Sequence, residues 1–64
     1  MFKDIYNKNG DYIATCKTNS EVLHIMDLES LDEVVIEDII GGSRALKMSL
    51  TKSFLKDILT KGVD

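Results

Sequence analysis

The sequence predicts an α+β domain: an N-terminal β-hairpin, a small antiparallel sheet, and a C-terminal amphipathic helix packed on that sheet. Three observations carry this reading. Asn9-Gly10 separates two short runs rich in strand-forming residues, β-branched residues crowd positions 34–40, and the stretch RALKMSLTKSFLKDILTK (44–61) changes its apolar period from two to 3.6 in mid-course.

The hairpin comes first. FKDIYN (2–7) and DYIATCK (11–17) flank Lys8-Asn9-Gly10, and Asn-Gly favours a tight hairpin turn because both residues tolerate positive φ. Strict alternation would place Tyr12, Ala14 and Cys16 on one face, with Ile13 and Thr15 on the other.

Residues 18–43 fit two descriptions. Thr18-Asn-Ser-Glu21 and Ser30-Leu-Asp-Glu33 both match a capping box, and Gly41-Gly42 could end a helix. Against a helix over 31–40, Val34, Val35, Ile36, Ile39 and Ile40 are β-branched, and Glu37 and Asp38 would oppose the dipole of a last turn. Val22, His24, Met26 and Leu28 alternate, Val34, Ile36 and Ile40 share a face broken only by Asp38, and Gly41-Gly42 would turn the chain into a strand at 45–50. The β-branched content and the turn agree, so strands are expected through this region.

The last segment is the most regular. Leu46, Met48 and Leu50 alternate with Lys47, Ser49 and Thr51; then Phe54, Leu55, Ile58 and Leu59 recur at helical spacing. Ser49 or Thr51 is placed to cap the helix start, and Gly62 to cap its end.

A chain of 64 residues makes one domain, and a domain of that size buries only about 60% of the surface its unfolded chain exposes. One cysteine gives no internal disulfide, so good packing or self-association must supply the missing stability, and a homodimer is expected. Charges near the N-terminus occupy the place of a signal peptide's apolar core, and the longest aliphatic run is Val34-Val35-Ile36, far short of a membrane span. These features point to the cytoplasm, and the residue usage would suit an AT-rich bacterial or phage genome.

The chain carries a net charge of −3, sorted in blocks. Between Thr18 and Ser43 there is no Lys or Arg, whereas Glu21, Asp27, Glu29, Asp32, Glu33, Glu37 and Asp38 are acidic. From Arg44 to Lys61 the balance reverses. In one explanation the acidic segment packs beside the basic helix and the charges satisfy one another, each exposed pair contributing about 0–1 kcal/mol. In the other, Asp27, Glu29, Asp32, Glu33, Glu37 and Asp38 face outward and bind a basic partner. The chain would then be a non-enzymatic regulator or inhibitor of a larger basic protein. The alternative is a small dimeric DNA-binding regulator using Arg44, Lys47, Lys52 and Lys56, although the negative net charge opposes phosphate binding.

No catalytic constellation, metal or cofactor is expected. Cys16 and His24 are the only residues of their kind, where a structural zinc site takes four ligands, mostly Cys and His. Gly41-Gly42-Ser43-Arg44 lacks the lysine and spacing of a phosphate-binding loop. The neighbouring carboxylates Asp32-Glu33 and Glu37-Asp38 point apart in either helix or strand.

Overall fold

Asn7 builds the first turn. Its side-chain oxygen accepts the backbone N–H groups of Asn9 and Asp11, at 2.9 and 3.0 Å, while its own backbone N–H donates to the Asp11 carbonyl. This joins β1 (Phe2–Tyr6) to β2 (Tyr12–Cys16) as the expected hairpin, but not through a tight Asn9-Gly10 turn: the Gly10 N–H closes on the Asn7 carbonyl around Lys8-Asn9, and of the Asn-Gly pair only Gly10 takes positive φ (88°). The structure is a computed structural model describing residues 2–62, with residues 44–46 described as backbone alone.

The chain continues through α1 (Asn19–Leu28), β3 (Glu33–Ile40), β4 (Ser43–Thr51) and α2 (Lys52–Thr60). The four strands form one antiparallel sheet in the order β2-β1-β3-β4. The α+β class, the hairpin, the antiparallel sheet and the C-terminal helix packed on it are thus all present.

The strand expected over 22–28 is instead helix α1, and the reason is local. Thr18 caps it, its hydroxyl accepting the Glu21 backbone N–H at 3.2 Å, while Glu21 reaches back to the Thr18 hydroxyl and the Lys17 N–H. Val22 and Met26, four residues apart and both completely buried, form the inward stripe. The same residues also fit an alternation of two, which is how a ten-residue helix imitates a strand. At its far end the Leu31 N–H returns to the Met26 carbonyl (2.8 Å) and the Ser30 N–H to Asp27 (3.4 Å). This double closure needs a left-handed residue, and Ser30 fills the place at φ 55° where glycine is usual.

The strand reading holds for 33–40. β3 and β4 are joined by Gly41-Gly42, both at positive φ (58° and 83°), as a two-residue hairpin loop demands. Thr51 then caps α2 by accepting the Phe54 N–H at 3.1 Å.

Register decides which side chains meet. Ile5 pairs with Ala14 on one side and Ile36 on the other, and Val34 with Leu50. That face carries both helices. Its core is Ile5, Cys16, Val34 and Ile36 from the sheet, closed by Val22 and Met26 from α1 and Leu55 from α2. The opposite face presents Asp4, Tyr6, Thr15, Val35, Glu37, Lys47 and Ser49. Two irregularities adjust the pattern: Ile13 is an extra residue between the pairs Ile5–Ala14 and Tyr6–Tyr12, and Ala45 between Asp38–Leu46 and Ile39–Arg44. The first of these bulges corrects the expected alternation, because it turns Tyr12 away from Ala14 and Cys16 and onto the open face beside Tyr6.

Ser30 supplies a test of the α1 terminus. A non-glycine residue held at positive φ is strained, so Ser30→Gly should stabilise the protein by about 0.5–1 kcal/mol in urea unfolding. An unchanged or lowered midpoint would show that the Ser30 backbone is not under strain.

Candidate functional site

The six acidic candidates do not share one surface. Glu37 and Asp38, adjacent in β3, point to opposite faces of the sheet. On the open side Glu37 accepts the Tyr6 hydroxyl at 3.1 Å and lies opposite Lys47 in the ladder. On the helix side Asp38 is held by Lys3 at 3.4 Å, both being well covered.

Asp27, Glu29, Asp32 and Glu33 do gather, at the end of the molecule where α1 turns into β3. The closure of α1 on Met26 and Asp27 pulls this turn tight, and the Lys52 backbone N–H donates to the Asp32 carbonyl at 2.8 Å, tying in the start of α2. Two of the four carboxylates have local cations. Lys52 bonds Asp27 at 2.8 Å, and Lys8, from the β1–β2 turn, approaches Glu33 at 3.6 Å. Glu29 and Asp32 are exposed, and neither side chain pairs with any described residue. Glu29 also stands at the C-terminal end of α1, where the helix dipole disfavours negative charge. A hollow of about 330 Å³ separates this turn from the β1–β2 turn, with Lys8, Asn9, Ser30, Asp32 and Glu33 among its walls.

The basic candidates are likewise divided. Lys47 lies on the open face with its ammonium 5.4 Å from the centre of the Tyr6 ring. Lys52 is committed to Asp27, and Lys56 is exposed on α2. The Arg44 side chain lies outside the described residues. Lys47 is therefore separated by the thickness of the sheet from Lys52 and Lys56.

Alternation alone did not reveal the polar network of the open face. Asp4 is buried, only 6% exposed, and accepts the Thr15 hydroxyl at 2.7 Å. With its proton directed at Asp4, the Thr15 oxygen is left to accept the Tyr12 hydroxyl, 2.6 Å away. Tyr12 meets Tyr6 edge to face at 6.0 Å. The clue in the sequence was an aspartate inside a predicted strand; the Ile13 bulge, which brings Tyr12 into line, left no trace there.

Cys16 and His24 come together, lining one hollow of about 300 Å³ with Ser20 and Glu21. Their surroundings work against nucleophilic chemistry. Burial, and then the Glu21 carboxylate, push the Cys16 thiol above its ordinary pKa, the reverse of what a thiolate nucleophile needs. Among the described residues no group of three or more His, Cys, Asp or Glu side chains is placed to hold a metal.

No protein-family model, no curated protein and no solved structure matches this chain.

Two measurements test these environments. Cys16 should react with a thiol reagent at pH 8 only as fast as the protein opens. Glu21→Gln should change that little, because burial is the larger cause; rapid labelling of the folded protein would contradict it. The second concerns acid. The hydrogen bond from Lys52 holds the Asp27 carboxyl below its ordinary pKa, its charge adding to the effect, with smaller help from Lys56 and His24. A depressed folded pKa contributes stability that is complete above the unfolded value and is lost as pH falls through the folded one. Asp27→Asn should therefore reduce the drop in melting temperature between about pH 5 and pH 2. An identical acid profile in the variant would remove this role for the pair.

Proposed function

We propose that the chain is a non-enzymatic binding protein that docks a basic surface of a larger protein through its acidic end. One observation carries this reading: Glu29 and Asp32 are exposed, neither pairs with a cation among the described residues, and Glu29 sits where its own helix disfavours it. A carboxylate kept in a locally unfavourable place gains most from an external positive charge. The hollow beside Asp32 and Glu33 has room for a lysine or arginine side chain between the two turns. By occupying a basic groove the domain would act as a regulator or inhibitor, in the cytoplasm. Glu37 and Asp38 are not part of this surface; their partners lie within the chain.

The DNA-binding alternative has weaker support, because Lys52 is neutralised by Asp27 and Lys47 lies on the other face of the sheet. Among the described residues no helix is long and apolar enough to cross a membrane.

The test compares Glu29→Gln/Asp32→Asn with Glu37→Gln. For the protein partner captured from the native host, the double variant should bind about tenfold more weakly, with a shallower salt dependence, a loss of about 1.4 kcal/mol. Glu37→Gln should bind as the wild type does. Equal affinity and salt slope in the double variant would exclude the acidic end, and retained binding to duplex DNA at low salt would favour the alternative.

A further inference from the structure

We propose that the free edge of β4 is a homodimer interface, on which two copies pair antiparallel with Ser49 opposite Ser49 and Met48 seated beside Leu50 and Phe54 of the second copy. The proposal does not rest on the reading of the acidic end, although the two adjoin where Glu33 pairs with Thr51.

The phase of the ladder shows what the edge offers. Lys52 donates its N–H to Asp32, so the pairs Val34–Leu50 and Ile36–Met48, two and four residues further on, exchange backbone bonds within the sheet. Lys47, Ser49 and Thr51 consequently turn their backbone N–H groups outward. β4 is the outermost strand, nine residues long and free of proline. Sheet edges of this kind are ordinarily guarded by charge, proline, bulges or a covering segment. Over 47–51 the only charged residue is Lys47. β4 has its own bulge at Ala45, but 47–51 lies beyond it in regular register, whereas the other edge, β2, is five residues long and interrupted by Ile13.

The side chains select the second copy as occupant. Met48 and Phe54, 43% and 50% exposed, are large apolar groups left outside the core. A hollow of about 280 Å³ lies beside them, lined by Ser49, Leu50, Thr51 and Phe54. Pairing about Ser49 puts Met48 of each copy opposite Leu50 of the other, at the mouth of that hollow, and the two-fold axis repeats the fit. The same register sets Lys47 opposite neutral Thr51, with Glu33 of the second copy one strand beyond, since Glu33 pairs with Thr51. Pairing about Lys47 would instead set two lysines face to face, which like charge disfavours. A standard dimer takes about 800 Å² from each partner, about a fifth of the 4135 Å² this chain exposes. A strand edge with two apolar anchors is smaller, so the dimer should dissociate on dilution.

Light scattering over about 5 µM to 500 µM should show the mass rising from monomer to dimer. Ser49→Pro removes only an outward N–H and should hold the chain at monomer mass; Met48→Lys should do the same by charging the knob. Circular dichroism establishes that each variant is folded. Under oxidation Ser49→Cys should cross-link across the axis, because directly opposed residues stand about 5.5 Å apart, and Met48→Cys should not, being displaced beyond disulfide reach. Cys16 is buried and does not compete. A wild-type chain that stays monomeric, folded variants that dimerise as the wild type does, or cross-linking at Met48→Cys in place of Ser49→Cys would each overturn the proposal.

Discussion

Both helices lie on one face of a four-stranded sheet, and this one-sided burial constrains everything else in the molecule. The core gathers at least one side chain from β1, β2, β3, α1 and α2. Val22 and Met26 reach it from a helix inserted between the two hairpins, and Leu55 from a helix appended to the last strand. Leu55 carries particular weight, as it is the one completely buried residue α2 contributes among those described. Truncating such a residue in a core typically costs 2–5 kcal/mol, roughly the lower part of the range of a small domain's whole stability. With so little to spare, the chain cannot cover the second face of its sheet with anything but its own strand side chains.

That open face must then satisfy its polar groups locally. Asp4 is the demanding one, a carboxylate almost removed from water in the middle of β1. The Ile13 bulge turns Tyr12 towards Thr15, whose hydroxyl is thereby oriented onto Asp4, so an irregularity of β2 serves a charge on β1. A buried carboxylate with a charge-assisted donor is tolerable; one left without is expensive. The bulge is therefore better understood as part of the Asp4 site than as a defect of the hairpin.

How much of this was legible depended on the range of the interaction. The Gly-Gly turn, the Thr51 cap and the switch from strand to helix are written in neighbouring residues and follow the sequence closely, whereas the first hairpin forms where Asn-Gly marks it but is shaped by Asn7. Helix α1 was legible too, through Thr18 and Glu21, but the alternation of Val22, His24, Met26 and Leu28 concealed it. The i, i+4 pair Val22–Met26 belongs to both periods, and only the capping box distinguishes them. Bulges cannot be seen this way, because one extra residue in a strand leaves composition and period almost unchanged. Nor can Lys3–Asp38, which joins residues 35 apart through a strand order no local pattern specifies.

The charge blocks show the same limit and lead to the functional argument. Along the chain the acidic segment faces a basic C-terminal one, so mutual neutralisation by the late lysines was the economical expectation. Folding instead distributes the acids by the sheet's period of two. Asp38 goes to Lys3, Glu33 towards Lys8 and Glu37 to Tyr6, while Lys52 clasps Asp27. Strand alternation thus dismantles the continuous acidic face that the linear sequence suggests. It leaves two carboxylates, Glu29 and Asp32, on the tight turn that begins where alternation does not yet apply. That turn's backbone is fixed by the Met26 and Asp27 carbonyls on one side and by Lys52 on the other, so the two residues are carried on a constrained chain. A constrained backbone of this kind would lower the ordering cost of the proposed binding, which is why two carboxylates on this turn serve that proposal better than the six the linear sequence offers.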